Sequence, residues 1–181
     1  MAGTLITQNI QGPSSGANAN KIIVPSGQTL AAYGYIVQTV SSGAFTSSVT
    51  LSSSSFTATG HTVTITPKLD NSNILVTLSG GGWYDNGYSS IATYISFYRS
   101  VSGGAYSVLS GIDATYGLIR MSGDGNTWNI KPYSAQWLDS TSASSGTSII
   151  YQVYGRTTIN SAMYNHSDRG TPVLIAQEIA Q

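Results

Sequence analysis

The chain carries two histidines, His61 and His166, and these are its natural candidates for proton transfer near neutral pH. His166 lies in Asn165-His166-Ser167-Asp168, from which a nucleophile, a base and an acid can be written as Ser167, His166 and Asp168. Side chains adjacent in sequence point apart, and the members of a hydrolytic triad come from separate segments. The stretch therefore reads as a polar turn. His61 opens a threonine-rich stretch and has no acidic neighbour in sequence.

The seven acidic residues stand singly, at Asp70, Asp85, Asp113, Asp124, Asp139, Asp168 and Glu178. None falls in the spacing that calcium or zinc requires. Asp124-Gly125-Asn126 resembles a fragment of a calcium loop, but it lacks the alternating ligands and the distal glutamate. A pair of carboxylates for glycoside hydrolysis would have to come from distant positions, and no motif points to one. Gly80-Gly81-Gly82 precedes Trp83 and Tyr84 rather than a helix, so it has no phosphate-cradling geometry. Asn165-His166-Ser167 fits a glycosylation acceptor, but no secretory signal accompanies it. No cofactor, no metal and no catalytic set is expected.

One constellation keeps a binding function open. Trp83, Tyr84, Asp85, Asn86 and Tyr88 are expected to share a loop. Aromatic faces can stack on sugar C–H groups while the polar tips take hydroxyls. Trp83, Tyr84 and Tyr88 are thus the candidate contacts for a glycan or a partner, and Trp128 and Trp137 could stand nearby. The alternative is that Trp83 closes the core, as tryptophan is usually buried.

Charged residues make up 8% of the chain, against about 25% in an average soluble domain. Apolar residues reach 40%, enough for a core, and the net charge is zero, so disorder is not the explanation. Such a neutral chain has no electrostatic footprint for nucleic acid or for an anionic membrane surface. It also has few charges with which to repel its own copies. There is no cysteine, so the fold is held without disulfides or thiolate metal sites. The opening MAGTLITQNI lacks the basic and apolar regions of a signal peptide, and synthesis in a cytoplasm is expected.

The elements that must position these groups read as strands. Helix formers are scarce, and tyrosine alone occurs 12 times. In His61–Thr66, Val63 and Ile65 point one way and Thr62, Thr64 and Thr66 the other, a half-buried strand that Pro67 stops. Asn73–Leu78 sets Ile74, Val76 and Leu78 on one face, and the glycine triplet is expected to end it. Ser90–Arg99 places Ile91, Thr93, Ile95 and Phe97 on one face and Ala92, Tyr94, Ser96 and Tyr98 on the other. Trp128–Leu138 is interrupted by Pro132, which demotes it to an edge or bulged strand. Ser148–Tyr154 alternates Ile149, Tyr151 and Val153 with Ile150, Gln152 and Tyr154. Pro172–Ile179 sets Val173, Ile175 and Ile179 on one side, with Gln177 breaking the row.

About ten such strands without crossover helices predict an all-β, antiparallel, jelly-roll-like sandwich over residues 33–181. Residues 1–32 are expected to form an extended N-terminal arm, with the apolar Ile22, Ile23 and Val24 as its anchor. Tyr94, Tyr98 and Tyr154 stand opposite the aliphatic rows and are the candidate subunit interface, because tyrosine buries its ring and keeps a hydrogen-bonding tip.

The segments ITPKLDNSNILV (65–76), TSIIYQVYGRTT (147–158) and VLIAQEIAQ (173–181), with the leader NANKIIVPSGQTL (18–30), carry a resemblance. They resemble the virion-surface and tail-fibre-like β domains of tailed bacteriophages, marine and cyanobacterial phages especially. The resemblance implies a trimeric, jelly-roll-like β domain on a virion and transfers no active site. The chain lacks the sustained heptads of a fibre shaft. An arm of 32 residues reaches at most roughly 110 Å. The expected function is a non-enzymatic capsid decoration protein, of cement or head-fibre type, on the major capsid protein. The alternative is a tail-fibre or receptor-binding tip that recognises host surface glycan. A glycan-degrading enzyme is the third and least supported reading.

Overall fold

The computed structural model describes residues 13–17, 33–85, 91–123, 130–158, 162–165 and 170–181, without the side chains of Tyr84, Asp85, Ile130, Lys131 and Met163. The chain divides into two units, Met1–Ala32 and Tyr33–Gln181. Ile22, Ile23 and Val24 lie outside the described residues, as do Tyr88, Trp128 and the 166–168 triplet.

The second unit is all strand among its described residues. In chain order these are β1 (Ile36–Ala44), β2 (Thr50–Leu51), β3 (Thr57–Ile65), β4 (Asn73–Asp85), β5 (Ala92–Val101), β6 (Ser107–Val108), β7 (Ile119–Ser122), β8 (Ile130–Ser140), β9 (Ile149–Thr157), β10 (Ala162–Met163) and β11 (Val173–Ile179). They form two antiparallel sheets. The first runs β1-β11-β4-β10-β2, with β8 also on β4. The second runs β3-β9-β5-β6, with β7 also on β5. The long strands from β3 to β5, and from β8 to β11, pass between the sheets, as in a jelly roll. The all-β, antiparallel sandwich expected from the periodicity is the observed fold.

The core lies between the sheets. Ile74, Val76, Leu78, Leu174 and Ala176 of the first sheet meet Val63, Ile65, Ile95, Phe97, Ile149, Tyr151 and Val153 of the second. The alternation read in β3, β5 and β9 therefore assigns the inner rows correctly. Pro132 sits in β8, which pairs only with β4 among the described strands, so its missing N–H costs no ladder bond on the open side.

Three expectations are corrected. First, the glycine triplet does not end β4. Between the pairs Ser79↔Ser134 and Gly82↔Pro132, β4 advances three residues while β8 advances two. That extra residue is a β-bulge, and it flips which face the later residues occupy. Gly80 and Gly81 supply it at φ 81° and 90°. A Cβ at Gly81 would stand 2.8 Å from the Tyr133 hydroxyl, so only glycine fits. Second, Ala44–Leu51, which reads from its residues as the strand after Tyr35–Val40, is not one strand. β1 runs on to Ala44, and only Thr50–Leu51 pairs again.

Third, β11 is turned over. Leu174, Ala176 and Glu178 face the core, and Val173, Ile175, Gln177 and Ile179 face outward and are half-exposed. The apolar count favoured the opposite. The buried Glu178 carboxylate decides it. It accepts hydrogen bonds from the Lys68 and Leu69 backbone N–H groups (2.9 Å each), the Ser72 hydroxyl (2.8 Å) and the Gln38 amide (2.7 Å). Burial raises its pKa, but these donors outweigh burial and hold it below the ordinary glutamate value. A carboxylate so saturated is stable inside, and the aliphatic row is left outside.

Candidate functional site

The bulge turns Trp83 into the core, where it is 0% exposed. Trp83 and Tyr84 are strand residues paired with Lys131 and Ile130, not loop residues. Trp83 thereby leaves the constellation, since a fully enclosed indole cannot stack on a sugar. Asn86 and Tyr88, and the side chains of Tyr84 and Asp85, lie outside what the structure describes.

The histidine that finds a serine is His61. Its Nε2 lies 2.9 Å from Ser42 Oγ and its Nδ1 lies 2.8 Å from the Tyr164 hydroxyl. Phe45 stacks on the ring at 4.5 Å. Such spacing could serve nucleophilic catalysis, so the proton directions matter. Ser42 Oγ accepts from the Leu174 N–H at 3.0 Å and donates to the Gly43 carbonyl at 2.7 Å. Its remaining lone pair takes the His61 Nε2–H. Nδ1 then accepts from Tyr164. This network assigns the proton to Nε2, which makes His61 a donor to Ser42 and not its base. Burial pushes the imidazole pKa down from 6.5 to about 4, so the ring is neutral. Every group is satisfied, and the arrangement ties β1, β3 and β11 together as structure.

The other buried charge is also structural. Arg99 Nη1 lies 2.6 Å from both carboxylate oxygens of Asp139, and the Tyr151 hydroxyl donates to Asp139 Oδ2 at 2.7 Å. The pair joins β5 to β8 across the sandwich. Among the described residues, no group of three or more His, Cys, Asp or Glu side chains could hold a metal ion. No helix among them is long and apolar enough to cross a membrane.

Two outward faces remain. On the second sheet, Tyr94, Tyr98 and Tyr154 do share the outer face, but their own chain partly covers it. The 52–56 segment and residues 111–118 fold over β5 and β9. Leu118 N–H donates to the Ile95 carbonyl at 2.8 Å, and a Cβ on Gly117 would come within 2.8 Å of the Phe56 ring. Tyr94 is 5% exposed, packed on the Arg156 guanidinium at 4.2 Å and on Tyr116. It has little ring left to offer a partner. Tyr98 and Tyr154 are half-buried and stacked on each other, with centroids 4.0 Å apart. Between the two covering segments lies a cavity of about 290 Å³, lined by Ser54, Ser55, Phe56, Tyr98, Ala114, Thr115 and Arg156. Sequence reading missed Arg156 and Phe56, because only the pairing of β5 with β9 brings them beside Tyr94.

On the first sheet the outer face is open. Among the described side chains it presents Leu75, Thr77, Ser79, Ser134, Gln136, Leu138, Val173, Ile175, Gln177 and Ile179, none of them charged. Leu138 is 50% exposed.

No protein-family model and no curated protein matches the chain. Among solved structures, the Eiger TNF of S. frugiperda is similar over 79% of this chain and 93% of its own, at 11% identity and a TM-score of 0.37. An exo-β-1,3-galactanase of Phanerochaete chrysosporium is similar over 77% of this chain and 27% of its own, at 19% identity and a TM-score of 0.22.

Proposed function

We propose that this chain is a non-enzymatic structural protein of a bacteriophage virion surface, a self-associating β domain of capsid-decoration type. In this reading it works as a homotrimer, residues 1–32 attach it to the major capsid protein, and its place of action is the virion. The virion assignment rests on the resemblance of three strand segments and the leader to phage virion-surface domains. The observation that carries self-association is the outer face of the first sheet. A solvated sheet face ordinarily alternates apolar-in with polar or charged-out. Here the outward row of β11 is aliphatic, Leu138 and Leu75 stand beside it, and threonine, serine and glutamine fill the rest. An uncharged face meets its own copy without like-charge repulsion.

This moves the association surface from the expected tyrosine face to the opposite sheet, since Tyr94 is already covered by its own chain. Light scattering tests the reading. A trimer of the 18.9 kDa chain runs near 57 kDa, and a stable monomer contradicts it. The alternative, a receptor-binding tip, gains nothing from Trp83. Its support is the cavity beside Arg156.

A further inference from the structure

The geometry points to a binding site for an acidic saccharide, a sugar bearing a carboxylate, in the cavity between the 52–56 and 111–118 segments. Arg156 is the reason. Among the described residues its guanidinium has no carboxylate partner, and the ion pair they contain is Arg99 with Asp139. It donates one hydrogen bond, from Nη1 to the Ser54 carbonyl at 3.2 Å. Its Nε is buried without an acceptor. A guanidinium has five N–H donors in a fork that matches a carboxylate, so most of this capacity is unspent. The nearest acid on the covering segment is already engaged: Asp113 Oδ1 accepts from the Thr115 and Tyr116 N–H groups at 2.7 Å each.

The guanidinium is also held in place. It lies over Tyr94 at 4.2 Å and over Phe56 at 5.6 Å, which fixes its plane and strips water from its faces. Partly buried and without a carboxylate partner, it favours an anion more than a fully solvated arginine does. The rest of the lining selects the anion's body. Phe56 and Tyr98 give flat apolar walls for C–H groups, and Ser54, Ser55 and Thr115 give hydroxyls. A volume of about 290 Å³ suits one ring-sized ligand rather than a polymer or a bare ion. This site is independent of the subunit interface on the opposite sheet, so either reading can fail alone.

The test uses the full chain, isotope-labelled, titrated with N-acetylneuraminic acid, glucuronic acid, glucose and inorganic phosphate. The site predicts saturable amide shifts at Ser54–Phe56 and Ala114–Thr115 with an acid sugar, and binding at least roughly tenfold weaker for glucose. Arg156→Gln should weaken the acid sugar roughly tenfold or more while its thermal midpoint stays measurable. Thr115→Trp, on an exposed position, should block the cavity with Arg156 intact. If neither acid sugar shifts those amides in the unmodified chain, the inference is overturned, whatever the variants do. Phosphate binding alone, or glucose binding as tightly as the acids, overturns it equally.

Discussion

At the scale of single residues, the buried polar groups decide more than the apolar ones. His61 is neutral in the fold with a pKa near 4, against 6.5 when exposed. Between those values the unfolded chain binds a proton that the folded chain refuses. Stability therefore falls as pH drops from 6.5 towards 4, by roughly 3 kcal/mol at about 1.4 kcal/mol per pH unit. Glu178 adds a second loss. Its pKa is lowered in the fold, so its contribution is present above the unfolded value and disappears as pH falls through the folded one. Urea midpoints measured from pH 7 to 3.5 should show a decline that starts near 6.5. In His61→Gln the upper part of that decline should flatten, and Glu178→Gln should keep it. A His61→Gln profile parallel to that of the unmodified chain would contradict the assignment of a neutral, buried ring. Neither residue announced this in the sequence. His61 meets Ser42 and Tyr164 only through pairing across 19 and 103 residues, and Glu178 read only as one of seven isolated acids.

At the scale of elements, alternation was legible wherever one face is core and the strand is regular. Val63 and Ile65 in β3, Ile95 and Phe97 in β5, and Ile149, Tyr151 and Val153 in β9 sit where their period of two puts them. It failed where backbone geometry or a buried charge overrides composition. The β4 bulge lies in Gly80-Gly81, and glycine marks bulges and strand ends alike. The outward turn of β11 follows from donors on the 68–72 segment that no local pattern reveals. The covering of β5 and β9 by residues 111–118 was equally hidden, because it rests on Gly117. That residue has φ 65°, and a Cβ would stand 2.7 Å from the Ile95 carbonyl oxygen. Gly117→Ala should lift this segment off the sheet, with a stability cost of about 1–3 kcal/mol. Hydrogen exchange should quicken at Gly117 and Leu118 and leave the β4–β8 ladder unchanged. Unaltered exchange at Leu118 would show that the segment is held by something else. On the opposite sheet, Leu138→Asp and Ile175→Asp place charge on an outward row. Each should leave the unfolding transition of the sandwich cooperative and shift the oligomer towards monomer at least roughly tenfold. An unshifted oligomer would put the interface elsewhere.

At the scale of the whole molecule, 8% charge and zero net charge acquire an address. The buried charges are spent on holding the fold: Arg99 on Asp139, and Glu178 on the turn after β3. What remains outside on the first sheet is, among the described side chains, an aliphatic and hydroxyl face that carries no charge, and on the second sheet the Arg156 guanidinium among aromatic rings. Among the described residues, His61 and Ser42 run their shared proton the wrong way for a nucleophile. These two surfaces, the uncharged face and the recess beside Arg156, are the ones on which the proposed docked structural role rests. Self-association through the first sheet is tested most directly by the mass of the full chain in solution. Multi-angle light scattering should give about 57 kDa, three chains of 18.9 kDa, and should fall towards one chain in Ile175→Asp. A single 18.9 kDa species at all concentrations, or a trimer that Ile175→Asp leaves intact, would contradict it.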